Sequence, residues 1–150
     1  MMLGIDVCDL KSNKYKAIIN YAFLNCNYVS FVINKESNQY NNFFELLLVN
    51  CKEDIFEKEV VCVHPETGTN FSDGYIIKSK CNSYLKAWFL KAYCIEDFNG
   101  TDFPEELCFF RNQNVWLKFI SHEKLLFIIN ENYKDIDFFK LNKIGYYYTI

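Results

Sequence analysis

The sequence is poor in the residues that break a chain into pieces, with only 2 prolines and 5 glycines among 150 residues. No stretch reads as a Pro-, Gly- or Ser-rich linker, no segment is of low complexity, and no internal repeat is present. A single globular domain over residues 1–150 is therefore expected, and a chain of that size buries about 68–70% of its unfolded surface without needing a staple.

Basic excess is also lacking. There are 16 Lys and Arg against 19 Asp and Glu, for a formal net charge of -3. Nucleic-acid binders usually carry a basic face, so no nucleic-acid partner is expected. Long apolar runs are missing too. Residues 17–34 carry no charge, but Asn20, Asn25, Asn27 and Ser30 interrupt them. A spanning helix needs about 20 predominantly apolar residues, so no membrane role is expected and the stretch reads as two strands.

The 7 cysteines are odd in number, scattered, and never spaced C-x-x-C. A secreted disulfide framework favours an even count. Met1 to Val7 has no basic region ahead of an apolar run. The expectation is a soluble, cytoplasmic chain with reduced thiols, in which Asn70-Phe71-Ser72 and Asn99-Gly100-Thr101 match the glycosylation triplet by chance in an Asn-rich sequence.

Signature motifs are missing as well. There is no G-x-G-x-x-G, no G-x-S-x-G and no acidic calcium loop, and Gly68 to Gly74 is not followed by Lys-Ser or Lys-Thr. His122-Glu123 begins like H-E-x-x-H, but Leu126 stands where the second histidine would be. No cofactor and no metal are expected.

What the sequence does have is aromatic surface, at 19%, from 15 Phe, 11 Tyr and 2 Trp. Tyr and Trp suit recognition because they join contact area to a polar tip. AT-rich codons would produce the same richness in Phe, Tyr, Asn, Lys and Ile.

Lys14 to Leu24 alternates, with Tyr15, Ala17, Ile19, Tyr21 and Phe23 on one side, and reads as a strand turning at Asn25-Cys26-Asn27 into a second, Tyr28 to Ile33. Tyr40, Phe43, Phe44, Leu47, Leu48 and Cys51 recur at helical spacing. Glu59 to Val63 and Tyr75 to Ser79 read as strands on either side of a loop from His64 to Gly74. Tyr84 to Asp97, capped by Ser83 and ended at Asn99-Gly100, reads as a helix, and Pro104-Glu105-Glu106 as a helical turn. Leu107 to Phe110, Val115 to Ile120 and Lys124 to Ile129 read as strands. A hairpin turn at Ser121-His122-Glu123 joins the last two. Tyr133 to Lys143 reads as a helix stopped by Gly145, and Tyr146 to Thr149 as a closing strand. Strands and helices without regular βαβ alternation predict an α+β fold, a mainly antiparallel sheet with two or three helices packed on it in a single layer pair.

Two function classes follow. The first is an acidic protein-interaction module, such as an inhibitor or an immunity-type protein, or a self-associating chain. Between Tyr84 and Ile95 only Lys86 and Lys91 are charged, and on a helix they point about 140° apart. A helix with so little polar face is buried on most sides or docks a partner. Tyr84, Trp88 and Tyr93 are then the candidate anchors. The second class is a small enzyme or ligand-binding domain. Cys62 and His64 lie two apart at the mouth of the long loop and share a face if the segment is a strand, with His122 the only other histidine. The bland alternative is a buried thiol beside a loop histidine that caps the backbone. The balance favours a non-catalytic chain.

Overall fold

The computed structural model describes residues 2–34, 40–60, 63–70 and 74–149, with the side chains of 40–44 and 48 outside that description. Eight strands form one antiparallel sheet: β1 (Leu3–Ile5), β2 (Tyr28–Asn34), β3 (Ile55–Val60), β4 (Gly74–Lys80), β5 (Glu105–Arg111), β6 (Asn114–Ile120), β7 (Leu125–Ile128) and β8 (Tyr146–Tyr148). Their order is β3-β4-β2-β5-β6-β7-β1-β8. Four α-helices complete the described fold: α1 (Asn13–Asn25), α2 (Tyr40–Cys51), α3 (Ser83–Phe89) and α4 (Tyr133–Leu141). The α+β expectation holds, with one helix more than the two or three predicted.

Alternate strand residues build the main core. Val29, Phe31 and Ile33 of β2, Leu107 and Phe109 of β5, and Leu126 and Ile128 of β7 pack in one cluster with Tyr15, Ile18, Ile19 and Ala22 of α1 and Phe139 of α4. These residues of α1 and α4 therefore pack against one face of the sheet. A bulge between Phe109 and Phe110 sets both Trp116 and Leu117 of β6 into that cluster.

The opposite face carries a row in register across the strands. Glu57 pairs with Lys78, Lys78 with Ser30, and Ser30 with Cys108. From Cys108 the row continues through Lys118 and Phe127 to Gly4, with Tyr147 beside it. Tyr147 lies across Gly4, where a Cβ would run into its ring. The turn from His64 to Asn70 lies over the middle of this face. There Lys118 Nζ donates to the Glu66 carbonyl at 3.4 Å, and Thr69 Oγ1 donates to Glu106 Oε2 at 3.0 Å.

Several sequence expectations need correction. Lys14 to Leu24 is helical. Its alternating residues hid a second pattern, Tyr15, Ile18, Ile19 and Ala22, which is the stripe actually buried. The helix expected to reach Asp97 ends at Phe89, and a turn and a short 3₁₀ segment, Ile95–Asp97, follow. Its N-cap is Asn82, whose side chain accepts from Leu85 N at 2.8 Å, one residue before the expected Ser83. Glu105 and Glu106 begin β5 rather than a helical turn, β3 starts at Ile55 rather than Glu59, and β1 was not foreseen. α4, expected to reach Lys143, ends at Leu141, and Lys143 just past its Asn142 cap takes the left-handed conformation at φ 56, so Gly145 is not the stop. The buried side of α2 is seen at Leu47 and Cys51, whereas the expected facing of Tyr40, Phe43, Phe44 and Leu48 lies outside the described side chains. No described helix is long and apolar enough to cross a membrane.

Candidate functional site

Cys62 lies outside the described residues, so its expected partnership with His64 is placed on one side only. His64 is almost fully buried beneath its own turn. Its Nδ1 accepts from Glu66 N at 3.0 Å and from Thr67 N at 3.2 Å. Both bonds need an unprotonated Nδ1, which puts the hydrogen of the neutral ring on Nε2. Burial, reinforced by the Lys78 ammonium, pushes the pKa down to about 4. The imidazole caps a turn, and the lone pair a metal or proton would need at Nδ1 is already used.

His122 sits in the β6–β7 turn with its side chain 57% exposed. Its Nδ1 is 3.8 Å from Glu106 Oε1, and its Nε2 is 3.7 Å from Glu123 Oε1. Glu106 is fully buried in the left-handed region at φ 54. It is held reciprocally: its N donates to Ser121 Oγ at 2.9 Å, and its Oε1 accepts from Ser121 N at 3.0 Å. Burial, then the neighbouring Glu106 charge, raises the Glu105 carboxyl above its usual range. This arrangement ties the start of β5 to the β6–β7 turn. Among the described residues, no group of three or more His, Cys, Asp and Glu is arranged to hold a metal ion.

The described thiols are all free. Burial pushes Cys26 and Cys81 up to about 12 and also raises Cys51, Cys94 and Cys108. A thiol held that high carries little thiolate at neutral pH and makes a poor nucleophile.

One polar centre was invisible in the sequence. Asp135, the third residue of α4, is fully buried and accepts five hydrogen bonds. Tyr21 Oη donates at 2.7 Å, Arg111 Nη2 and Nη1 at 2.8 and 3.1 Å, Trp116 Nε1 at 3.1 Å and Asn132 N at 3.0 Å. Burial alone would raise this carboxyl, but the donors outweigh it and hold the pKa below the usual range. The donors come from α1, β5, β6 and the α4 cap, so the centre joins helices to sheet. Its two carboxylate oxygens are occupied by these five donors.

The expected anchors divide. Trp88 is buried to 7% exposure, with Phe31, Phe89 and Phe103 around it. Its own chain covers it because the helix stops one residue later and the following turn folds Ala92 and Ile95 into the core. Tyr84 is half-buried against that core, and Tyr93 is 62% exposed.

Exposed apolar residues are concentrated elsewhere in the sequence. Among the described residues, eleven large apolar side chains are exposed, and five of them, Leu46, Val49, Phe56, Val60 and Val63, fall in residues 46–63. This stretch runs from α2 into β3, at one end of the sheet. Leu46 and Val49 lie three apart on the side of α2 away from the buried Leu47 and Cys51. Phe56 stands edge-on to Tyr28, 5.3 Å between ring centres, and Tyr28 stacks on Phe110 at 4.5 Å. No sequence signal announced this surface, because Val60 and Val63 read equally well as an inward strand.

No protein-family model, curated protein or solved structure matches this chain.

Proposed function

We propose that this chain is a protein-interaction module that docks its partner on the α2–β3 end of the sheet. The observation that carries the reading is that Leu46, Val49, Phe56, Val60 and Val63, close together in the sequence from α2 through β3, are all exposed. Single exposed apolar residues are ordinary, but several grouped within one short stretch favour a partner site. An inhibitor or immunity-type protein is the form of this reading that suits the net charge of -3, since carboxylates steer a basic partner into place. The alternative, an enzyme or ligand-binding domain built on Cys62 with His64 or His122, draws less support. His64 uses Nδ1 to cap its own turn, and His122 lies beside Glu106 and Glu123.

Cross-linking through lysines in a lysate of the native host, read by mass spectrometry, tests the proposal. Cross-links to one protein should concentrate at Lys52 and Lys58, and the double variant Val49→Ser, Val60→Ser should lose them while keeping its fold by circular dichroism. Cross-links that survive this variant, or that map to the α4 side, would overturn the reading.

A further inference from the structure

We infer that the turn from His64 to Asn70 is a proton-released clasp, closed over the outer face of the sheet at neutral pH and lifted from it in mild acid before the main core unfolds. The inference is independent of the docking reading above. The clasp is built on one atom. His64 Nδ1 accepts from the backbone N–H groups of Glu66 and Thr67 at 3.0 and 3.2 Å. That is the place an Asn or Asp side-chain oxygen takes in an Asx turn. An amide oxygen keeps its lone pairs in mild acid, whereas Nδ1 has one lone pair, which a proton takes. A protonated ring then turns its own hydrogen towards two others, and the cap becomes a repulsion.

The surroundings work in the same direction. The ring is almost fully buried, and Lys78 of β4 repels a charge placed on it. The other charged groups around the turn are its own Glu66, Lys118 of β6, and Glu106 of β5 with His122 beyond it. How the turn is held decides what opens first. Thr69 Oγ1 donates to Glu106 Oε2 at 3.0 Å, Lys118 Nζ donates to the Glu66 carbonyl at 3.4 Å, and Val63 bridges to Asn70. No residue from 63 to 70 belongs to the main hydrophobic cluster, which lies on the other face. A segment held by a few polar contacts opens at lower cost than the whole domain. Beneath it lies Cys108, fully buried between Ser30 and Lys118 in the row across the strands, with the Glu66 charge near enough to raise its pKa. Cys108 therefore reports lifting of the turn, whereas Cys26, packed in the main cluster, reports loss of the core.

The test labels the full-length chain at pH 7 and at pH 5 with 4,4′-dithiodipyridine, a disulfide that a thiol opens to a mixed disulfide and 4-thiopyridone. Peptide mass spectrometry follows each cysteine, with the exposed Cys8 as the rate standard. A ring that titrates near 6.5 when released and at about 4 when clasped raises the open population about twentyfold between these pH values. Labelling of Cys108 relative to Cys8 should rise by that factor, and labelling of Cys26 should not. His64→Asn keeps an acceptor for both N–H groups but cannot titrate, so it should abolish the rise. Thr69→Val removes the tie to Glu106, and should speed Cys108 labelling at both pH values while leaving their ratio unchanged. A flat Cys108 response, Cys26 labelling that rises in step with it, or a rise that survives in His64→Asn would overturn the inference.

Discussion

Arg111 and Asp135 meet end-on, each guanidinium Nη donating to a separate carboxylate oxygen at 3.1 and 2.8 Å. Arg111 is largely covered and also lies over the Trp116 ring, 5.0 Å from its centre. Removing the carboxylate charge would strand that cation and leave Tyr21 and Trp116 poorly paired. Asp135→Asn is expected to cost about 3–5 kcal/mol, the range for breaking a buried pair from one side. Urea denaturation of the variant against the parent measures it, and a loss under 1 kcal/mol would refute the central role given to Asp135.

The His64 turn makes stability depend on pH. An unfolded histidine titrates near 6.5, whereas the folded ring, desolvated and near Lys78, titrates at about 4. As pH falls through that window the unfolded chain binds a proton that the folded chain refuses, so stability drops. The contribution is fully present above pH 6.5 and lost by about pH 4, amounting to roughly 3 kcal/mol. Subtracting the pH profile of His64→Gln isolates it, since other groups titrate alike in both proteins. Parallel profiles would show that the ring is not held neutral.

Trp88 and Tyr93 give opposite outcomes if the first is core and the second surface. Trp88→Ala should destabilise by about 3–5 kcal/mol, as truncation of a packed aromatic does. Tyr93→Ala should stay within about 0.5 kcal/mol. Thermal unfolding of the two variants separates them, and a harmless Trp88→Ala would return that ring to the surface.

Gly4 is needed for space rather than for backbone freedom. A methyl group there meets the Tyr147 ring, which is half-exposed and can swing aside. Gly4→Ala should therefore cost only about 1 kcal/mol. That cost should vanish in a Tyr147→Ser background, which a double-mutant cycle would show.

Much of this architecture could be read before any coordinates. β2, β4, β6, β7 and α4 fall where alternation and helical spacing put them, because their local pattern and their tertiary burial agree. α1 failed because Tyr15 to Phe23 supports both periods, and the choice was made by the sheet that Ile18 and Ile19 pack on. β1 failed because three residues carry no period at all. The sites were harder still. Asp135 looks like a solvated helix acid until Arg111 and Trp116 arrive from 24 and 19 residues away. The outward facing of Val60 and Phe56 depends on β3 lying at the sheet's end, a fact of strand order that no short window contains.

β1 lies between β7 and β8, matching Leu3 to Ile128 on one flank and to Tyr148 on the other. β1 therefore depends for its backbone partners on two strands that lie far along the sequence. Joining stretches so distant closes a very long loop, whose entropy must be lost before any contact compensates. Completion of this flank should be the late, slow step of folding, and translation speed through the β7–β8 codons should matter more to yield than speed elsewhere.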